Sequence, residues 1–419
     1  MVIFRYAVLL YVIFMAACAA PQQLSRQNTA FTYFKSPAQL NPVYKVYHSA
    51  DSVSTVYFAI KQSKLLYTKS GNKFEGKVKI RCFLFDDFDS KVPADTATFY
   101  YTFNELADTN NWVGNSFPIK AKKGKQYVAQ FIFYDVNRKV YNNTLLPIDK
   151  QNVFSADYFL LRSFPDSAII FEPYLAKNQI FTIHIANTAI QKLNLKYFAA
   201  EILPARPPFG GDAQQNLKAD TVLTIEMACG QSGPQQLVSQ GLYILCVDTI
   251  STFGLPITRT YDTYPQLTTA ADVLKPLRYL TAKDEYAKLE KAENVKKEVD
   301  DFWLRAAGTA TSARNVLKNY YTGVSFANRF FTTTREGWKT DRGMVYCIFG
   351  QPFSVYRSGN TETWLYGNGN TPFTPTFVFV KQPDGLTGYD YYLRRSDVFK
   401  PIWYDALENW RNGRLQYWY

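Results

Sequence analysis

The chain has 419 residues, of which 47% are hydrophobic, 20% charged and 17% aromatic, with 32 Phe, 31 Tyr and 7 Trp. That balance excludes a disordered chain, and at roughly 150 residues per domain the length allows about three units with cores of their own. The formal charge of +12 is spread along the sequence with no stacking platform of recognisable spacing, which argues against a nucleic-acid groove. The densest basic run, Lys120, Lys122, Lys123 and Lys125 around Gly124, reads as a solvated hairpin. Tyr and Phe favour strands, so the composition predicts β-rich modules with aromatic cores. A sharper reading of the same rings is a surface for glycan or protein.

Residues 1–17 combine a single Arg with the apolar run AVLLYVIFM, the pattern of a signal peptide, and the run is too short to span a bilayer as a mature helix. Met15-Ala16-Ala17-Cys18 resembles a bacterial lipobox, so Cys18 is the expected lipidation site and first mature residue. Each buried acyl CH₂ contributes roughly 0.8 kcal/mol, and several acyl groups together hold a protein on a membrane nearly permanently. Residues 18–30, rich in Gln, Ser and Asn, read as the lipidated Cys and a polar tether.

From 31 to 150 and again from 154 to 265, strand-like runs alternate with turn signals, as expected of two β-sandwich modules of the immunoglobulin type. Lys77-Val78-Lys79-Ile80-Arg81-Cys82 is the clearest half-buried strand. Cys229 and Cys246 lie on two strand-like runs joined by a loop; a disulfide in an oxidising compartment is one reading and two separate core thiols the other.

After Pro265 the period becomes helical, and a helix pair is expected over 275–333. Thr281 to Asp284 fits a capping box ahead of one amphipathic helix carrying Phe302 and Trp303. Gly308 ends it, and a second helix runs from about Ser312 to Phe331.

The most specific stretch is GWKTDRGMVYCIFGQPFSVYRSGNTETWLY, from Gly337 to Tyr366. Gly337 allows a tight turn beside Trp338, Thr340 and Asp341 suit local backbone hydrogen bonds, and Arg342 suits a carboxylate partner. Gly343 then releases a predicted strand, Met344 to Phe349, closed by Gly350 and Pro352. Further short strands, including Trp364 and Tyr366, complete a small C-terminal antiparallel β domain over 334–419. The expected fold is therefore multidomain and β-rich α+β.

These residues, with Phe302-Trp303 upstream, resemble the signature of the GWxTD domain family, known mostly from lipoproteins of the Bacteroidota cell envelope. One position departs from the resemblance: Ala306 follows Arg305 where family members commonly carry Asp. The resemblance implies an outer-membrane lipoprotein, and the lack of an acidic cluster after Cys18 implies that it faces the periplasm.

Chemistry is sparse. His48 and His184 stand far apart, which argues against a zinc site or a Ser-His triad, and Gly230 to Pro234 misses the nucleophile elbow because its last position is Pro. The expectation is no catalytic residue, no metal and no cofactor beyond lipid on Cys18. The protein would act as a non-catalytic binding or scaffold subunit, attached to the membrane by lipid and contacting one or more envelope proteins and no nucleic acid, its β modules spacing the motif region from the membrane. The rival is a glycan- or peptidoglycan-binding protein or glycan-processing enzyme, with Glu362 or Asp390 as its acids.

Overall fold

The computed structural model describes residues 23–34, 39–108, 110–152, 154–199, 201–211, 217–250, 254–367, 375–382 and 390–414. Cys18 and the leader lie outside the described residues. The protein is β-rich, with several antiparallel sheets and a helical region close to a small C-terminal sheet.

The first unit holds β1 (Val43–Tyr47), β2 (Ser54–Lys61), β3 (Tyr67–Ser70), β4 (Lys73–Phe85), β5 (Asp95–Asn104), β6 (Trp112–Ile119), β7 (Gln126–Asp135) and β8 (Val140–Asp149). One sheet has the order β1-β2-β6; the other runs β3-β4-β7-β8, with β5 also on β4. The alternation read in β4 is real: Val78, Ile80, Cys82 and Leu84 are buried, and the residues between them turn outward. They meet Val56, Phe58, Ile60 and Phe117 of the other sheet, and the Phe117 and Phe131 rings cross at 83°. The lysines around Gly124 do lie in solvent, Lys120, Lys123 and Lys125 forming loose pairs with Asp95, Asp51 and Asp86.

The second unit contains β9 (Leu160–Ser163), β10 (Ile180–His184), β11 (Lys192–Phe198), β12 (Thr221–Ala228), β13 (Gln231–Ser232), β14 (Gln235–Gln236), β15 (Gly241–Cys246) and β16 (Leu255–Arg259). Their order is β14-β10-β13-β12-β11-β15-β16, with β9 beside β10. Cys229 and Cys246 are both free thiols, one exposed and one buried. The register explains it. Asn194 of β11 faces Thr224 on one side and Cys246 on the other, so Cys229 sits five residues further along its own strand line. At about 3.3 Å per residue that is roughly 16 Å of offset, beyond the reach of a disulfide.

The C-terminal unit differs most from the sequence reading. Its helices are α1 (Ala270–Leu274), α2 (Lys283–Glu290), α3 (Val295–Ala307), α4 (Ala310–Phe331), α5 (Asp341–Phe349) and α6 (Lys400–Arg411), and its sheet is β17 (Ser354–Ser358), β18 (Thr361–Leu365), β19 (Thr376–Lys381) and β20 (Tyr391–Leu393) in that order. The expected single helix after Thr281 is two, because Asn294 caps a fresh start by accepting from Lys297 N at 3.0 Å. Thr281 itself bonds back to Leu277 O, and the capping box of this region is Thr269 with Asp272, ahead of α1. Among the described residues no helix is long and apolar enough to cross a membrane.

Residues 24–33 are no loose tether. Leu24 is buried against Phe85 and Val128 of the first unit, while Ala30 and Tyr33 enter the C-terminal core. The attraction is an open sheet edge. Thr29 N donates to Val355 O at 2.8 Å and Asn28 Oδ1 accepts from Val355 N at 3.0 Å, so the strap satisfies backbone groups that edge strand β17 would leave unpaired.

Candidate functional site

The expected strand from Met344 to Phe349 is the helix α5. A short apolar run cannot be assigned by periodicity alone, and here the ends decide it. Thr340 Oγ1 accepts from Gly343 N at 3.0 Å as N-cap, Asp341 favours the positive first turn, and Gly350 closes the helix at φ +76°. Met344 to Phe349 are buried all round, so no polar face marks the helix in the sequence.

Two glycines set the motif's packing. A β-carbon on Gly337 would overlap the Ala327 carbonyl of α4, and one on Gly343 would overlap the Gly337 carbonyl. The backbone therefore passes close against α4 and folds back onto itself. Trp338 is sealed inside: its indole N–H donates to Glu336 at 2.6 Å, its backbone N–H to Asn328 Oδ1 at 3.1 Å, and its carbonyl accepts from Tyr279 Oη at 3.1 Å. Lys339 extends across the Trp338 ring to Glu201 at 2.9 Å. Asp341 accepts from Leu393 N at 2.7 Å and is held by the Arg395 guanidinium.

Arg342 does not pair with the neighbouring Asp341. It lies over the Tyr391 ring at 4.3 Å and the Phe331 ring at 5.1 Å, and reaches Glu362 at 3.8 Å. Glu362 is the hub, 1% exposed. It accepts from Tyr33 Oη at 2.6 Å, Trp364 Nε1 at 2.6 Å and Arg357 Nε at 2.9 Å. Arg357 in turn donates to Thr29 and Thr32 of the strap. Burial pushes the Glu362 carboxyl up, but the two guanidiniums and the hydrogen bonds outweigh it and hold the group below its ordinary value.

The predicted motif residues thus converge on one core. Phe302 and Trp303 pack in α3, Trp303 against Tyr320 and Tyr321. Tyr366 Oη donates to Gly350 O at 2.8 Å, and Trp364 packs on Tyr33, Phe331 and Phe379. Pro352 is buried just past the end of α5. Asp390 accepts from the hydroxyls of Thr333 and Thr334. Sequence reasoning missed Tyr33, Asn328's role, Glu336, Arg357 and Arg395. Of these Arg357 alone left a signal: Gly359-Asn360 is a two-residue hairpin turn, which sets Arg357 opposite Glu362. The others act across long sequence separations that local pattern does not encode.

Residues 241–412 match the model of the GWxTD domain family. The matched stretch begins in β15, so it takes in the last two strands of the second unit as well as the helices and the sheet; the part after those strands, 264–414, is the GWxTD region proper. No curated protein matches this sequence. A solved structure of red sea bream transglutaminase aligns over 49% of this protein and 28% of its own length at 8% identity, and its TM-score of 0.20 carries no argument.

The geometry of the GWxTD region is that of a clamp. Asp341, Glu362 and Asp390 each accept hydrogen bonds from side chains of the same core. Among the described residues no group of three or more His, Cys, Asp or Glu side chains is placed to hold a metal. Elsewhere His48 Nδ1 lies 2.8 Å from Ser54 Oγ, but both residues are buried and Nε2 is taken by the Asp149 carbonyl at 3.0 Å. Burial lowers the His48 pKa to about 4, so the pair is a neutral core contact.

Proposed function

We propose that the protein is a lipoprotein anchored in the outer membrane through Cys18, facing the periplasm, and that it serves a cell-envelope protein assembly as a non-catalytic binding or scaffold subunit. Its two β-rich units are read as immunoglobulin-like sandwich modules. The observation that carries the non-catalytic reading is the use of the motif's charged groups: Asp341 and Glu362 are buried and bound to arginines of the same core. A carboxylate so engaged holds a fold in one arrangement and has no proton to exchange with a substrate.

The strap favours a different arrangement from the spacer one expected from sequence. From Cys18 to Leu24 is six peptide units, at most roughly 21 Å when fully extended. Asn28 and Thr29, a few residues after Leu24, are bonded to β17, which supports a reading in which the GWxTD region lies beside the proposed anchor. Changing Cys18→Ala should move the protein from the membrane to the soluble fraction. In-cell crosslinking of the wild type should give envelope proteins joined to residues of 264–414. Retention of the C18A protein in the membrane, or crosslinks confined to the two β units, would sink the reading.

A second reading, contact with glycan or peptidoglycan, is favoured by one exposed row. Tyr100, Lys79, Tyr134 and Tyr141 stand in register across β5, β4, β7 and β8 on the outer face of the first unit, with Tyr100 71% and Tyr141 64% exposed. Sedimentation with purified cell wall should weaken as salt rises if the cations contribute. A Tyr100→Ala, Tyr141→Ala double variant that still sediments fully would remove this reading.

A further inference from the structure

A small cleft opens beside the motif, between the segment Leu203 to Arg206, the turn at Arg335 and the end of the C-terminal sheet. Its volume is about 50 Å³, room for a group of a few heavy atoms and not for a drug-sized ligand. Three guanidinium residues line it, Arg206, Arg335 and Arg395, together with Asp341, Asp390 and Tyr391.

The carboxylates of the cleft are already engaged. Asp341 is held by Arg395 and Leu393 N, and Asp390 accepts from Thr333 and Thr334. Arg206 donates to Gly211 O. Arg335 is different. Its Nε is buried, and its guanidinium has neither a hydrogen bond nor an ion pair among the described residues. A buried Nε–H without an acceptor is costly to hold, because it forfeits its bond to water. That cost falls away when an anion of matching geometry enters, and the planar fork of Arg fits a carboxylate through two parallel hydrogen bonds.

We propose that this cleft is a binding site for the free C-terminal carboxylate of a partner polypeptide, with Arg335 as the ligating residue. The Tyr391 ring forms part of the wall, and the Asp341–Arg395 pair fixes the sheet end that closes it. The inference rests on the reading that the GWxTD region contacts protein partners, and it names the chemistry of one such contact. Arg335 follows the three threonines that leave α4 and directly precedes Glu336, the acceptor of the Trp338 indole. The turn that seats Trp338 in the core thus also places Arg335 on the cleft wall.

The test uses the full-length protein and a minimal probe. N-acetylglycine reproduces a peptide C-terminus and N-acetylglycinamide is its neutral counterpart; both are titrated calorimetrically, with inorganic phosphate as a third ligand. Saturable binding of N-acetylglycine alone is expected, weakened at least tenfold in Arg335→Gln with an unchanged melting temperature. In the wild type N-acetylglycine should also protect Arg335 from phenylglyoxal, read by mass spectrometry, which gives an answer even if the variant folds poorly. Equal binding of the amide, binding of phosphate only, undiminished affinity in R335Q, or no binding and no protection would each overturn the proposal. Crosslinking of the wild type to envelope proteins through 264–414 reads the underlying partner hypothesis separately, so the two can fail independently.

Discussion

The first β unit and the GWxTD region are built on opposite plans. The core of the first unit draws on one continuous run of sequence, from Leu40 to Ile148, apolar on the inner faces. The GWxTD core takes Ala30 and Tyr33 from one end of the sequence, Leu274 to Phe331 from the helices, and Trp364 to Ala406 from the other end. Its buried charges, Glu362, Arg357 and Asp341, pair with other side chains, whereas Asp135, Asp149 and Lys150 of the first unit are held by backbone groups of turns. The difference teaches where specificity resides. An alternating sheet tolerates exchange of one apolar residue for another of similar volume, whereas a composite core with a buried ionic hub tolerates little, since each charge removed strands its partners.

Backbone proximity should give the sharpest contrast. Gly343→Ala forces a β-carbon into the Gly337 carbonyl, and a loss of more than about 4 kcal/mol is expected, enough to unfold the GWxTD region. Gly124→Ala in the first unit meets open space and suffers only from its φ of +82°, about 1 kcal/mol. Urea unfolding followed by the Trp residues, six of the seven of which lie C-terminal to residue 300, reads the first directly. Equal, small losses in both variants would erase the distinction.

Charge should come next. Glu362→Gln leaves Arg357 and Arg342 buried without their carboxylate, and a loss of roughly 3–5 kcal/mol is expected, with proteolytic release of the strap at residues 24–33 as its signature. The two units should also separate in acid. Because the folded Glu362 carboxyl lies below its ordinary value of 4.5, its contribution is intact above that pH and lost as pH falls through the folded value. His48 acts earlier: with its pKa lowered from 6.5 to about 4, its contribution to the first unit is complete above 6.5 and drains away down to about 4. Hydrogen exchange across that range should show the strands around His48 loosening before the strap does. The reverse order would contradict the assignment.

The sequence made the first unit legible because the features that shape it are local. β4 announces its inner face by alternation, and the turn at Gly71-Asn72 announces its start. It was less informative where the fold depends on what lies across a gap. α5 read as a strand because every side chain from Met344 to Phe349 is buried, which removes the periodicity that distinguishes the two. The strap read as a tether because Asn28 and Thr29, polar residues suited to solvent, turn inward to the backbone of a strand more than 300 positions away. The motif's importance was visible in its Gly, Trp and Thr-Asp spacing. Its role as a clamp was not, since Glu336, Asn328 and Arg395 carry no pattern that links them to Trp338 and Asp341.

The strap has a consequence for the order of assembly. Tyr33 meets Glu362 across 329 positions of sequence, so the GWxTD core closes only when both of these distant segments are present. Loop closure over such a span comes late and is slow. During synthesis from the N-terminus the first β unit can fold early, while Asn28 to Tyr33 wait for β17 and β18. Completion of the GWxTD core is thus a late step that depends on a segment made more than 300 residues earlier.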